Sequence, residues 1–324
     1  MSGWQVVLQK TVALFLVMLV GAWAARIGFW SPEAGRTLSR LLVDLVYPCY
    51  VVVQFLRTVD GDILRLNWYV PLLGFAVIAV GQAAGWLGGV AVRHPVRRRT
   101  FIFLVAITNW IYLPLPIAEA LFGDSGVRTV LLMNVGCQAA IWTLGVATLS
   151  PGLSPKDSLR HVATNPGMVA TVGGLLLAVW VPALRGGAPD YPVLYTVLEA
   201  AEMLGGLTIP LSLLIIGAQL GSCPLADLKP EPALWGVLAL RLAAAPLLAI
   251  LLVQAAARVG LVIPDAPRQI FYLVAAMPIA ISCTLFTERY GGDSLLSAKA
   301  ILASTLASLA TVPLLFRLIQ ARGW

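Results

Sequence analysis

Two apolar segments of this sequence carry prolines and polar side chains near their middle, where an uninterrupted helix would need every backbone hydrogen bond. The residues concerned are Asn109, Pro114, Pro116, Pro278, Ser282 and Thr284. Proline removes an amide donor and clashes with the carbonyl group four residues earlier. The backbone around Ile111 to Pro116 should therefore open and leave carbonyl groups without helical partners. Such groups beside the Asn109 amide predict a polar binding site; the alternative is prolines that only kink a helix.

Three further polar residues stand inside apolar segments. Asp44 lies four residues before Pro48 and could carry a coupling proton, because burial favours the neutral form of a carboxyl group; a structural ion pair or hydrogen bond is the alternative. Arg241 keeps its proton, so it is either the partner of a carboxylate or an attractor of anions. Gln138 is a candidate for the binding site, although glutamine also joins neighbouring helices.

Enzyme chemistry finds little support in the sequence. Both histidines, His94 and His161, fall between apolar segments, no GxSxG motif is present, and no apolar segment holds paired aspartates. The cysteines show no metal-ligand spacing. The sequence therefore predicts neither an enzyme nor a metal site, and no cofactor beyond a coupling ion, H⁺ or Na⁺.

The elements that must position these residues are membrane-spanning helices. Of the 324 residues, 59% are hydrophobic and only 11% are charged, too few to coat a soluble particle of this size. The composition therefore excludes soluble enzymes and nucleic-acid binding proteins. Apolar runs long enough to span a bilayer predict an all-α membrane protein of ten spans. These spans are 5–28, 34–57, 67–92, 99–122, 126–149, 165–184, 192–218, 232–257, 267–288 and 294–319.

The ten spans divide into two halves that resemble each other. A connecting segment, 150–164, separates a first repeat, 1–149, from a second, 165–324. A shift of 169 residues aligns Arg99 with Arg268, and segments 104–106 and 123–125 with identical ones, without a gap. Because five is odd, the second half must enter the membrane from the opposite side, which predicts the inverted repeat of secondary transporters. Broken helices 4 and 9 then occupy equivalent positions.

Basic residues give the expected orientation. The cluster RHPVRRR at 93–99 belongs on the cytoplasmic side by the positive-inside rule. Both termini of a ten-span chain would then lie outside. The predicted location is the inner membrane of a bacterium, with lipid as a partner. A homodimer is also expected, because the small residues of GQAAGWLGG at 81–89 allow helices to approach closely.

Four segments together resemble the auxin efflux carrier family, which includes the plant PIN exporters and bacterial carriers. The segments are TNWIYLPLPIAEALFGDSG from 108, TIPLSLLIIGAQL at 208–220, AAMPIAISCTLFTERYGGD at 275–293 and AST at 303–305. The resemblance implies a ten-helix fold related to the bile-acid sodium symporters. It also implies that spans 4 and 9 cross in mid-membrane, and that a transport domain moves against a scaffold as an elevator.

The same resemblance implies roles for individual residues. Asn109, seven residues before Pro116, would help hold a substrate carboxylate, and Pro278 matches the crossover proline of span 9. Many bacterial members have Gly at the place of Pro114 and Asn at that of Ser282. The function implied is a secondary carrier that exports a small organic anion, auxin-like or a dicarboxylate. The alternatives are a sodium-coupled importer of the bile-acid symporter type and a sensor that binds without transport.

Overall fold

The computed structural model describes residues 3–152, 163–187, 190–222 and 231–323, and in these ranges the chain is helical. Most of the connecting segment 150–164, with Lys156 and Arg160, lies outside them. The α-helices are α1 Gly3–Arg26, α2 Pro32–Leu41, α3 Tyr47–Thr58, α4 Gly61–Leu66, α5 Val70–Gly89, α6 Pro95–Ala106, α7 Pro114–Phe122, α8 Asp124–Ala140, α9 Val146–Leu149, α10 Pro166–Trp180, α11 Pro192–Gly205, α12 Thr208–Ser222, α13 Pro232–Ala239, α14 Ala245–Arg258, α15 Asp265–Ala276, α16 Cys283–Arg289 and α17 Ser294–Arg322.

Seven helical stretches among the described residues are long and apolar enough to cross a membrane. They are Gly3–Arg26, Glu33–Thr58, Val70–Gly89, Asp124–Leu149, Pro192–Ser222, Pro232–Arg258 and Ser294–Arg322. The apolar helix α10 has 15 residues and is shorter than the roughly 20 that a span normally needs. The predicted spans 4 and 9 are each split into two short helices. The chain is thus an all-helical protein with several membrane spans.

Three of these long stretches contain a π-helical turn, which the sequence analysis did not predict. The π segments are Leu42–Val46, Ile141–Gly145 and Leu240–Ala244. A π turn holds one extra residue in the helix and is frequent at functional sites. Two of the three contain the intramembrane charges Asp44 and Arg241. The first also precedes Pro48, which stands in the first turn of α3, where proline is tolerated.

The helix break in predicted span 4 lies earlier than expected. Helix α6 ends at Ala106 and α7 begins at Pro114, so the break is 107–113 rather than 111–116. Its first four residues, 107–110, are extended, and 111–113 form a turn that leads into α7. Pro114 is the first residue of α7, where its missing amide proton is not needed. The prolines therefore start the second helix instead of lying in the opened backbone. In span 9, α15 and α16 flank the segment 277–282.

Glycines allow the closest helix contacts. A Cβ atom on Gly217 of α12 would lie 1.9 Å from the Met18 carbonyl oxygen of α1, and one on Gly136 of α8 would lie 1.7 Å from the Pro71 carbonyl oxygen of α5. Only glycine permits such an approach. Helix α1 thus packs along α12, and α5 along α8, while α3 packs against α10 and α11.

Two of the small residues at 81–89, Gly81 and Gly85, contact a helix of the same chain. A Cβ atom on Gly81 would lie 2.8 Å from the Val105 carbonyl oxygen, and one on Gly85 would lie 2.9 Å from the Ile102 carbonyl oxygen. The stripe therefore packs on α6 within the same chain. Gly81 and Gly85 are therefore buried within one chain, whereas Ala83 of the same segment is exposed. The homodimer stays a prediction.

Candidate functional site

The two extended segments meet and pair as a short piece of antiparallel backbone. Thr108 and Ile279 form an isolated antiparallel bridge. The Asn109 amide donates to the Pro278 carbonyl oxygen at 2.8 Å, and the Ala280 amide donates to the Ile107 carbonyl oxygen at 3.2 Å. Asn109 and Pro278 are the residues that the shift of 169 aligns. The pairing supplies hydrogen-bond partners that neither broken helix can provide for itself.

Side-chain hydroxyl groups complete the crossing. The Thr108 hydroxyl donates to the Val274 carbonyl oxygen at 2.9 Å, in the last turn of α15. The Ser304 hydroxyl of α17 accepts a hydrogen bond from the Ile279 amide at 3.2 Å. All of these groups are buried. The sequence analysis did not assign either hydroxyl a role, although Thr108 directly precedes Asn109 and Ser304 lies in the AST segment.

Arg241 joins the two broken helices at their C-terminal ends. Its Nη1 donates to the Val105 carbonyl oxygen of α6 at 3.0 Å, and its Nη2 donates to the Ala275 carbonyl oxygen of α15. The side chain is fully buried. Its partners are thus backbone carbonyls rather than the carboxylate that the sequence analysis considered, and it does not line the cavity described below. A cation at these two helix ends offsets their partial negative charge.

A cavity of about 330 Å³ opens beside the crossing. Aromatic side chains form much of its wall, among them Tyr47, Trp110, Tyr112, Trp142 and Phe286. Its polar lining residues are Ser39, Asn109, Asn134, Gln138, Asn165, Ser212, Gln219, Ser282 and Thr284. Among the described residues that line it, none carries a charge. The volume lies at the lower end of the range for small-molecule sites, which are mostly apolar with a few convergent polar groups.

The Asn109 side chain presents its amide group to this cavity. Its Oδ1 accepts a hydrogen bond from the Tyr112 amide at 3.2 Å, which fixes the side chain on the extended segment just before α7. In the described part of the chain its Nδ2 donates to no acceptor, while the residue is 6% exposed. A largely buried donor that faces a cavity is suited to bind an acceptor atom of a ligand.

The helix ends at the crossing add to this electrostatic pattern. Helices α6 and α15 both end at the crossing. The Arg241 guanidinium donates a hydrogen bond to a carbonyl oxygen in the last turn of each. Helix α7 starts at Pro114, directly after the cavity-lining residues 109–112. Pro114 and Pro116 have no amide proton, and the Leu115 amide donates to the Ile111 carbonyl oxygen, so the first three residues of α7 offer the cavity no free donor. Since Arg241 offsets both C-terminal helix ends, the Asn109 Nδ2 is the donor that an acceptor atom of a ligand would meet beside the crossing.

The seven predicted substrate-binding residues divide into two groups. Asn109, Gln138, Ser282 and Thr284 line the cavity together. Pro114, Pro116 and Pro278 do not line it but determine the backbone around it: the first two start α7, and the third provides the carbonyl that Asn109 bonds.

Asp44 stands apart from these groups. Its side chain is exposed on the π segment of the second long helix, and no hydrogen bond or ion pair joins it to another described residue. Neither the structural ion pair nor the hydrogen bond considered for it is found there. Its neighbour Val43 lines the cavity, and Asp44 itself does not.

Two polar residues of α8, Asn134 and Gln138, differ in their hydrogen bonds. The Asn134 Oδ1 accepts from the Trp110 indole at 2.9 Å, and its Nδ2 donates to the Thr171 hydroxyl of α10 at 3.1 Å. Asn134 therefore joins three segments across the buried interior. Gln138, one turn further along α8, lines the cavity without such a bond to a described residue.

Comparison with known proteins agrees with these features. A family model described as membrane transport protein, the family of the auxin efflux carriers, matches residues 6–154 and 153–316. An uncharacterized transporter of Methanocaldococcus jannaschii is 21% identical over 313 residues, which cover 95% of this chain and 97% of that protein. The Na⁺/H⁺ antiporter NhaA 2 of Novosphingobium aromaticivorans is 28% identical over 182 residues, 55% of this chain and 44% of that protein.

Proposed function

This chain belongs to the membrane transport protein family that includes the auxin efflux carriers, and on that premise we propose that it is a secondary carrier which exports a small organic anion. The substrate class is a monocarboxylate or dicarboxylate. The substrate binds in the cavity at the crossing of the two broken helices, in the inner membrane of a bacterium.

The observation that carries this proposal is the charge pattern at the crossing. The Asn109 Nδ2 is a donor for a carboxylate, and Arg241 neutralises the two C-terminal helix ends that would repel one. Interrupted helices with their ends directed at a substrate are the usual construction of a carrier site. The aromatic wall suits an anion with an apolar body.

The proposed transport mechanism is an elevator. In this proposal the seven long stretches, α10 and the two broken pairs make ten crossings, arranged as two inverted repeats with both termini outside. The packing of α1 along α12, and of α3 along α10 and α11, supports a scaffold made of these helices. Helices α5 to α9 and α13 to α17 would then form the moving body that carries the crossing.

Purified protein in liposomes tests the proposal. A panel of radiolabelled carboxylates, with neutral amides of the same shape as controls, would be offered at two pH values with and without sodium. We expect saturable uptake of at least one carboxylate, exchange against the same unlabelled compound, and no uptake of its amide. Binding without exchange would instead support a sensor, and the carrier function would be wrong.

The sodium arm of the assay separates the proposed carrier from an importer of the bile-acid symporter type. An importer of that type would need clustered carboxylate and amide ligands near the crossing, and no described carboxylate lines the cavity. Glu119 and Glu288 are exposed at the ends of α7 and α16. We therefore expect uptake that does not depend on sodium; uptake that requires a sodium gradient would favour the importer.

A further inference from the structure

A second cavity lies at one end of the helix bundle and shares no lining residue with the cavity at the crossing. It occupies about 530 Å³ where α5 ends and where α6 and α13 begin. Val92, Phe101, Gly236 and Ala239 are among its apolar wall residues, and Arg93 and His94 stand at its rim. We call it the basic groove, and nothing in the transport proposal uses it.

The basic groove has an apolar channel that leads into the membrane. Ala239 lies seven residues after Pro232, the start of α13, so the channel continues about 10 Å below the helix end. Ala239 is exposed, so the channel is open to the surroundings of the bundle. Gly236 keeps it wide, because a Cβ atom there would lie 3.0 Å from the Phe101 ring. A channel of this depth suits the upper part of an acyl chain.

The rim of the basic groove carries positive charge that the protein does not neutralise. Arg93 lines the groove, is exposed and forms no ion pair with a described residue. Arg98 and Arg99 do not line it, but they are also exposed, without an ion pair to a described residue, and lie on the first turns of α6. The acidic residue of the groove is already paired: the Glu231 carboxylate contacts the Arg97 guanidinium, and its Oε1 lies 3.8 Å from the Lys299 Nζ. Arg97 also lies 3.7 Å from Asp293. The remaining charge favours an anion at the rim.

We propose that the basic groove binds one anionic phospholipid, with its phosphate at Arg93 and His94 and an acyl chain along Phe101 and Ala239. A phosphate group at the level of the helix ends and a chain below it match the order of groups in a bilayer leaflet. Basic pockets between spans are a recognised place for acidic headgroups. The site is independent of the transported substrate.

Native mass spectrometry of the detergent-purified full chain, titrated with phosphatidylglycerol, tests this proposal. Arg93→Gln should weaken binding of the first phosphatidylglycerol about fivefold, the usual effect of one basic residue near a headgroup. Arg40→Gln is the matched control, because Arg40 is also exposed but lies on α2; its affinity should equal that of the wild type. If both variants weaken phosphatidylglycerol binding equally, or if neither variant weakens it, the proposed site is wrong.

Three further measurements distinguish binding of an anionic lipid from binding of an anion or a lipid of any kind. Ala239→Trp should fill the channel and weaken phosphatidylglycerol binding, whereas Leu87→Trp, on an exposed face of α5 outside the groove, should not. Phosphatidylcholine should bind more weakly than phosphatidylglycerol to the wild type and be unaffected by Arg93→Gln. Displacement of the lipid by inorganic phosphate at equal concentration would show a plain anion site and overturn the proposal.

Discussion

At the scale of single residues, Asn109 combines two tasks in one side chain. Its Oδ1 holds the backbone at Tyr112, and its Nδ2 is the donor that faces the cavity. A substitution that removes the whole amide affects both tasks. A substitution that keeps the acceptor oxygen separates them.

We predict that Asn109→Ala lowers substrate affinity roughly ten- to a hundredfold, the effect of losing a hydrogen bond to a charged group. Asn109→Asp should keep the bond from Tyr112 and a wild-type melting temperature, but bind the anion more weakly still, because it adds a negative charge. Equilibrium binding of the best carboxylate and thermal unfolding give the two readouts. Wild-type affinity in a folded Asn109→Ala protein would remove Asn109 from the site.

Asp44 leads to a prediction about coupling. Because its exposed carboxyl group has no described partner, Asp44→Asn should unfold at the temperature of the wild type. If Asp44 carries the coupling proton, this variant should also lose the pH dependence of uptake. Asp62→Asn, an exposed aspartate of α4, is the control that should keep it. Uptake by Asp44→Asn that still depends on pH would exclude the coupling role.

At the scale of helices, Arg241 is the residue on which the crossing depends most. It reaches α6 and α15 from the π segment Leu240–Ala244 of a third helix. The extra residue of a π turn widens the helix locally, and here it places a long side chain against two helix ends. Arg241 therefore fixes the relative position of α6 and α15.

Arg241→Met should destabilise the protein by about 3 kcal/mol or more, since each hydrogen bond from a charged donor contributes about 1.5–3 kcal/mol. Arg241→Lys should recover part of that loss, because an ammonium group can still reach one carbonyl. Chemical denaturation measures both, with Arg258→Met on the exposed end of α14 as the control. If Arg241→Met is as stable as the wild type, the proposed link between the two helices is wrong.

The sequence predicted the helices better than their irregularities. Hydrophobic runs located the helical segments, and the two broken helices followed from Pro114, Pro116 and Pro278. The position of the first break was wrong, because proline is equally compatible with an opened turn and with the first turn of a helix. The π turns and the carbonyl partners of Arg241 depend on neighbours far apart in the chain, so no local pattern could have revealed them.

At the scale of the whole molecule, the repeat makes a geometric prediction. If the halves are inverted, Asp124 and Asp293 lie on opposite faces of the membrane. Single cysteines at these positions, in a background without native cysteines, should react with an impermeant thiol reagent from opposite sides. Because Asp293 caps α17 through the Leu296 amide, the pair Ser125→Cys and Ser294→Cys serves as a second test. Reaction of both positions from one side would exclude the inverted repeat.

The sequence alone predicted which residues of the two halves correspond at the crossing, but not which helix the small residues at 81–89 contact. The shift of 169 residues aligned Asn109 with Pro278, and the same two residues share a hydrogen bond. The small residues at 81–89 led us to expect a dimer, and two of them, Gly81 and Gly85, pack on α6; the sequence pattern for close packing is the same whether the partner is another chain or a helix of the same chain. Only the three-dimensional neighbours distinguish these cases.

The pairing between residues 107–109 and 278–280 also constrains how the protein is made. At a synthesis rate of about 5–20 residues per second, the ribosome reaches Pro278 roughly 10–30 seconds after Asn109. During that interval the Ile107 carbonyl and the Asn109 amide lack the partners they have in the finished protein, and exposing them to lipid would cost several kcal/mol. The nascent segment must therefore stay in water or in contact with the insertion machinery until the second half arrives.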